Sequence, residues 1–400
     1  MRSLTLAIFI LLTMTLGHAQ TDKTDALRQG FRSELEKAGV AGGSLVVVRE
    51  GKLIAEEHYG LAHIEKKQPA NAATIYHWAS NTKPFTGIAI MQLRDRGLLK
   101  LDDPVTKYLP ELRKIHNPFG SMDEITIRHL LSHSGGFRGG TWPWRNNKPW
   151  EPFEPTEWSQ LVAMFPFTEV LFKPGTKFSY SNPGIIYLGR IIEEVAGEPY
   201  EAYIDKNILR PLGMHSSYFD TTPPHLLPNR SHSYYIRDGK RTEGRFDADT
   251  GITVSNSGLN APVADMVKYL NFLLGSPPAR GGVDAASADG VVGGGAFNYD
   301  TVLKRSSLEE MWQPVLKAET DANGNPGFTT DIGLIFFLDQ RDGRKLIGHG
   351  GDQNGFISYM EFDPASKTAA LFVLNTDVAG KPGSDLISGL RRLLRTVSAK

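Results

Sequence analysis

Apolar and polar positions alternate along this chain in segments that read as distinct elements. Thr24 to Ala38 has the one-sided apolar pattern of an amphipathic helix that stops before Gly39. Gly43 to Glu50 and Lys52 to Tyr59 read as two strands around a tight Glu50-Gly51 turn. Pro84 to Arg96 is mostly apolar and ends at Gly97, the pattern of a buried helix with a glycine stop. Ile127 to Ser132 predicts a short helix running into Ser134-Gly135-Gly136. Pro183 to Val195 and Pro262 to Leu274 predict two more helices, each opened by a proline. Late in the chain, Gly333 to Leu338, Lys345 to Gly348, Phe356 to Phe362 and Ala369 to Asn375 read as strands, and Ser384 to Ser398 as a final helix.

Strands at both ends with helices between them predict an α+β fold. Antiparallel strands from the two ends join into one sheet flanked by helices. The mainly helical middle forms a second lobe, and a cleft between the two is the expected active site.

The first residues add a location. Arg2 precedes an apolar run from Leu4 to Leu16, and Gly17-His18-Ala19 follows. A basic residue, a short apolar core and small residues at the cleavage site are the marks of a secretory signal peptide, here residues 1–19 with cleavage after Ala19. The run is shorter than the roughly 20 residues of a membrane span. No later stretch is long enough to cross a bilayer, and no cysteine follows to carry a lipid. The expected location is the periplasm or the exterior, and the expected mature unit is one domain over residues 20–400. Forty-four basic and 44 acidic residues cancel, which argues against nucleic acid or an anionic membrane as partner. With no cysteine, disulfides, thiolate metal sites and cysteine nucleophiles are excluded. Two segments stand apart in composition. Residues 138–166 hold four of the six tryptophans (Trp142, Trp144, Trp150, Trp158) and read as an inserted flap, and residues 275–295 read as a Gly/Ala-rich surface loop.

Three small motifs carry chemistry. Ser80-Asn81-Thr82-Lys83 is the chain's single Ser-x-x-Lys, placed at the start of an apolar helix. Residues three apart on a helix share a face, so the hydroxyl and the amine come within reach. Serine needs a base to become a nucleophile, and lysine is a base only when burial or nearby positive charge keeps it neutral. Tyr180-Ser181-Asn182 lies in a loop before a proline-started helix. There a phenol whose pKa is lowered by the lysine can move protons, and an amide can hold a substrate carbonyl and the lysine. Another Tyr-x-Asn, Tyr269 to Asn271, sits inside an amphipathic helix and reads as packing. His349-Gly350-Gly351 closes a late predicted strand, where small residues let a ligand lie against the strand edge.

Taken in order, these motifs resemble the signature of serine β-lactamases and penicillin-binding proteins, in the branch of class C β-lactamases, DD-peptidases, D-aminopeptidases and esterases. Supporting segments are His129 to Gly136, Pro211 to Met214 and Gly348 to Phe356, and the resemblance spans roughly residues 26–395. It implies that Ser80 is acylated, Lys83 is its base and Tyr180 relays protons. It implies that Asn182 binds the substrate amide, that His349, Gly350 and Gly351 form the cleft edge, and that the N–H groups of Ser80 and Asp352 form the oxyanion hole. One departure matters: the lactamases of this branch carry lysine where His349 stands, so a substrate carboxylate is held less firmly here.

The expected function is a serine hydrolase acting through an acyl-enzyme on a D-amino-acid amide or a small ester, with no cofactor. The alternatives are a true β-lactamase or a non-catalytic protein of the same fold that binds cell-wall peptides. His129 and His133 have zinc-helix spacing, but Leu130 stands where the catalytic glutamate belongs, so no metal is expected. Asp321 to Asn325 resembles a calcium loop whose twelfth position is Ile332, and it reads as a turn.

Overall fold

The computed structural model describes residues 24–141, 155–247, 249–276, 298–320, 329–341 and 343–398. The expected leader (1–19), Trp142, Trp144 and Trp150, nearly all of the Gly/Ala-rich segment and the expected turn at Asp321–Asn325 lie outside the described residues.

Gly42–Arg49 (β1) and Lys52–His63 (β2) form the expected hairpin, with Gln68–Pro69 (β3) at its edge. Glu50 and Gly51 sit at φ +50° and +82°, the mirror-image turn whose twist matches paired strands. The middle of the chain holds short strands: Ile75–His77 (β4), Tyr218–Phe219 (β5), the hairpin Tyr234–Arg237 (β6) and Lys240–Glu243 (β7), and Leu259–Pro262 (β8). The last part adds Leu316–Lys317 (β9), Asp331–Ile332 (β10), Phe337–Arg341 (β11), Arg344–Gln353 (β12), Phe356–Asp363 (β13), Thr368–Leu374 (β14) and Thr376–Val378 (β15). β1 pairs antiparallel with β14, Leu45 opposite Phe372, and so joins both ends of the chain in one sheet. Its order is β3-β2-β1-β14-β13-β12-β11-β10-β9. Two three-stranded sheets, β15-β6-β7 and β4-β8-β5, complete the strands.

The helices are residues 24–38 (α1), Lys83–Asp95 (α2), Ile127–Leu131 (α3), Trp158–Ala163 (α4), Asn182–Ala196 (α5), Tyr200–Ile204 (α6), Val254–Ser257 (α7), Val263–Leu274 (α8), Arg305–Glu310 (α9) and Gly380–Ser398 (α10). They cover both faces of the large sheet. That is why β1 reads as an unbroken apolar run, Leu45-Val46-Val47-Val48, all fully buried. Leu45 and Val47 pack with Phe31 of α1 and Leu390 of α10. Val46 and Val48 face the other way, into a larger core with Phe85 and Ile88 of α2 and Leu270 of α8. A slip of one residue would exchange these two sets, so both cores fix the register. Among the described residues no helix is long and apolar enough to cross a membrane.

Two strand expectations are corrected. Gly333 to Leu338 is not one strand: β10 ends at Ile332 and β11 begins at Phe337. Between them the backbone leaves the sheet, with Ile335 at φ +73°. The Leu334 N–H donates to the Met311 carbonyl and the Ile335 N–H to the Leu131 carbonyl (2.9 and 2.7 Å). Leu334, Ile335 and Phe336 are all buried, so this apolar run plugs the core. Conversely, β12 does not close before His349 but runs on to Gln353, which places His349 mid-strand.

Leu390 is fully buried between α10 and the sheet. Leu390→Ala is expected to lower unfolding stability by about 2–5 kcal/mol, read as a fall in the guanidinium midpoint at unchanged slope. A shift near zero would contradict the packing described.

Candidate active site

The segment leading into α2 sets the geometry. The Trp78 indole donates to the Ala261 carbonyl (2.9 Å), and its backbone N–H to the Leu259 carbonyl (2.8 Å). The chain then reverses at Ala79 (φ +50°) and passes through a single tight turn, Ala79–Thr82, into α2. The Thr82 hydroxyl fixes that turn by donating to the Ala79 carbonyl (2.7 Å) and accepting the Leu259 N–H (3.0 Å). Ser80 and Lys83 therefore fall on one face, with Lys83 Nζ 2.8 Å from Ser80 Oγ. The amine also donates to the Asn256 carbonyl of α7 (2.9 Å). Lys83 is fully buried, and burial holds its pKa well below the usual lysine value. Burial thus favours the neutral amine, the form whose lone pair can take the serine proton.

Tyr180 comes from the loop before α5. Its hydroxyl is hydrogen-bonded to Ser80, and Lys83 Nζ lies 4.9 Å from its ring centre. Burial drives the phenol pKa up, against the smaller opposing pull of the Ser80 hydrogen bond. This corrects the expected lowering by the lysine: burial outweighs the Ser80 hydrogen bond, and Tyr180 stays a protonated phenol. Asn182 opens α5 behind the cap formed by Ser181, whose hydroxyl accepts the Gly184 N–H (3.2 Å). The buried Asn182 Oδ1 has no hydrogen-bond partner among the described residues, so it does not hold the lysine. The backbone of Asn256 does.

The opposite wall is β12. A β-carbon on Gly351 would lie 2.3 Å from the Trp78 carbonyl oxygen and 3.1 Å from the Ser80 nitrogen, so only glycine lets the strand approach the turn this closely. Ser358 on β13 locks the contact. Its hydroxyl donates to the Trp78 carbonyl (2.9 Å) and accepts from the Asn81 amide (2.8 Å). His349 is buried, stacks on Phe337 (4.7 Å between ring centres, 24°) and has Nδ1 2.6 Å from the Gly350 carbonyl. Burial, assisted by Lys83, pushes its pKa down to about 3, so the imidazole is neutral.

Ser80, Tyr180, Asn182, His349, Gly350, Gly351 and Asp352 line one cleft of about 570 Å³, and Lys83 lies beneath it. Three contributors were not foreseen: Asn256, which acts through its backbone, Ser358, and His133, whose ring lies 4.6 Å from that of Tyr180. Trp158, at the start of α4, does not line this cleft. It packs against Phe165 and Tyr187 and donates to Glu111 (2.7 Å). His129 and His133 do not form a zinc helix, because α3 ends at Leu131 and His133 turns away at φ +51°. Among the described residues, His63, His232 and Glu243 bring metal-ligating atoms within 4.8 Å of one another. The two imidazoles are stacked nearly parallel, 3.6 Å apart, so their lone pairs cannot meet at one ion without tilting.

The chain matches the beta-lactamase family model over residues 27–391. Protein flp of Staphylococcus aureus (strain COL) is 33% identical over 189 residues, 47% of this chain and 37% of flp. Esterase EstB of Burkholderia gladioli is 31% identical over 206 residues, 48% of this chain and 51% of EstB. The chain thus spans about half or less of the length of these curated relatives. Among solved structures, the octameric penicillin-binding protein homologue from Pyrococcus abyssi has a TM-score of 0.73 at 26% identity. That match covers 94% of this chain and 77% of the other.

Asp352 gives the site a measurable pH signature. Although its side chain reaches solvent, the desolvation imposed by the surrounding cleft wall and then Asp377 push its carboxyl up to about 6, with Arg237 opposing. The folded state therefore holds this proton more tightly than the unfolded chain. The stability it contributes is full below about pH 4 and is lost as pH rises through about 6. Asp352→Asn is expected to raise the thermal midpoint near pH 8 and leave it unchanged near pH 4. Equal midpoints near pH 8 would contradict the shift.

Proposed function

We propose, from the premise that the chain belongs to the beta-lactamase family of serine hydrolases, that it is an exported acyl-enzyme hydrolase with Ser80 as nucleophile. The observation that carries this reading is the 2.8 Å contact between Ser80 Oγ and a fully buried Lys83 amine, whose pKa burial holds well below the usual lysine value. In acylation the hydroxyl proton passes to Lys83 Nζ as Oγ bonds to the substrate carbonyl carbon. The oxyanion is received by the N–H groups of Ser80 and Asp352. As the tetrahedral centre collapses, the bond to the leaving group breaks and the Tyr180 phenol protonates that group. The phenolate left behind recovers a proton from the Lys83 ammonium. Water then repeats the sequence on the acyl-enzyme. Asn182, whose Oδ1 is unpaired, accepts a substrate amide N–H, and the substrate lies along the edge of β12.

The substrate class follows from charge. A neutral His349 offers no cation for a substrate carboxylate, which disfavours β-lactams. A D-residue amide or a small ester suits the cleft better, and the esterase among the relatives supports the second. The basic and apolar start of the chain, Arg2 then Leu4 to Leu16, supports export.

A fluorophosphonate probe is expected to leave one adduct, on the Ser80 peptide, and none in Ser80→Ala. Equal labelling of that variant would overturn the assignment. Lys83→Ala is expected to slow nitrophenyl ester turnover by about 10²–10⁴-fold. In a panel of D-peptides, short esters and nitrocefin, fastest turnover of nitrocefin would overturn the substrate reading while leaving the acyl-enzyme standing.

A further inference from the structure

His133 is buried, and it meets the Tyr180 loop at three consecutive residues. Its carbonyl accepts the Ser179 N–H (2.8 Å). Its ring lies 4.6 Å from the Tyr180 ring, tilted by 34°. Its Nδ1 accepts the Ser181 N–H (3.1 Å). On the far side, Phe178 packs against it edge-on at 6.1 Å. The backbone at His133 stands at φ +51°, and that turn aims the ring at the loop while the carbonyl stays on it. A ring nitrogen that accepts a backbone N–H carries no hydrogen, so the proton of this neutral imidazole is on Nε2. Protonation of the ring would place a hydrogen on Nδ1 and break the contact with Ser181. Burial, together with Lys83 and then His349, opposes that protonation.

We propose that His133 is the positioning residue for Tyr180: by gripping Ser179 and Ser181, it holds the phenol where it can protonate the leaving group. This rests on the proton-donor role given to Tyr180 above. A displacement of about 1 Å at a catalytic group can cost roughly 100-fold in rate, so a slackened grip is readable. The loss must depend on the leaving group. Nitrophenolate departs without a proton, whereas an alkoxide or an amine needs one.

The experiment compares kcat and KM for a nitrophenyl, a phenyl and an alkyl ester of one acid in four proteins: wild type, His133→Phe, His133→Asn and Tyr180→Phe. Thermal midpoints establish that each is folded. Phenylalanine keeps a ring but loses the acceptor. Asparagine restores an acceptor near Nδ1 and tolerates the left-handed backbone. His133→Phe is expected to lose about 10–100-fold in kcat on the alkyl ester and no more than about 3-fold on the nitrophenyl ester, at similar KM. His133→Asn is expected to recover most of the alkyl-ester rate, and Tyr180→Phe to show the same leaving-group pattern more strongly. A leaving-group pattern in Tyr180→Phe without one in His133→Phe overturns the inference alone. Equal losses in the Phe and Asn variants overturn the hydrogen-bonded grip. No pattern in Tyr180→Phe overturns the role of Tyr180, and the inference with it. Should His133→Phe fail to fold, the Asn variant decides: a kcat within about 3-fold of wild type on the alkyl ester supports the grip, and a larger loss overturns it.

Discussion

A lysine amine buried to exclusion of water is the constraint around which this site is built. Moving an ammonium from water to a protein interior costs several kcal/mol unless it is paired. Among the described residues no carboxylate pairs with Lys83 Nζ; its hydrogen-bond partners there are the Ser80 hydroxyl and the Asn256 carbonyl. Burial in the folded state therefore favours the neutral amine, the form in which a surface-type side chain can serve as a base. Burial takes most of α2, with every residue from Lys83 to Leu93 inside, and it takes α7 and α8 packed around that helix. The helical lobe holds the amine dry, and the sheet brings β12 up to the serine.

The neighbouring groups follow the same electrostatic logic. His133 and His349 are buried and held neutral, and Tyr180 is held in its protonated form. Where the buried side chains around a nucleophile carry no charge, backbone dipoles count for most. That favours stabilisation of a transient oxyanion by N–H groups at the Ser80 turn and on β12. It also separates this cleft from one with a lysine on β12, which would draw in substrate carboxylates.

Much of this was legible in the sequence because it depends on short-range geometry. Ser80 and Lys83 fall on one face by helical spacing alone, and Tyr180 to Asn182 are marked by a helix cap. The joining of the two chain ends in one sheet followed from apolar runs such as Leu45 to Val48. What escaped depends on tertiary contact. Asn256 acts through a carbonyl, which leaves no side-chain signature. The run Leu334 to Phe336 is as apolar as a strand but satisfies its backbone against Met311 and Leu131, outside the sheet. His133 sits in a conspicuous motif, yet its grip on Tyr180 needs the φ of +51° that ends the helical reading at that residue. The rise of the Tyr180 pKa required knowing how deeply the fold buries the phenol.

The central claim is the charge state of Lys83, and it can be titrated directly. In protein labelled with carbon-13 at lysine Cε, the Lys83 signal is assigned by its loss in Lys83→Arg and followed against pH. The account predicts that this signal titrates well below the ordinary lysine value of about 10.4, and that the folded enzyme carries a neutral amine near neutral pH. Titration together with the surface lysines near about 10.4 would contradict it.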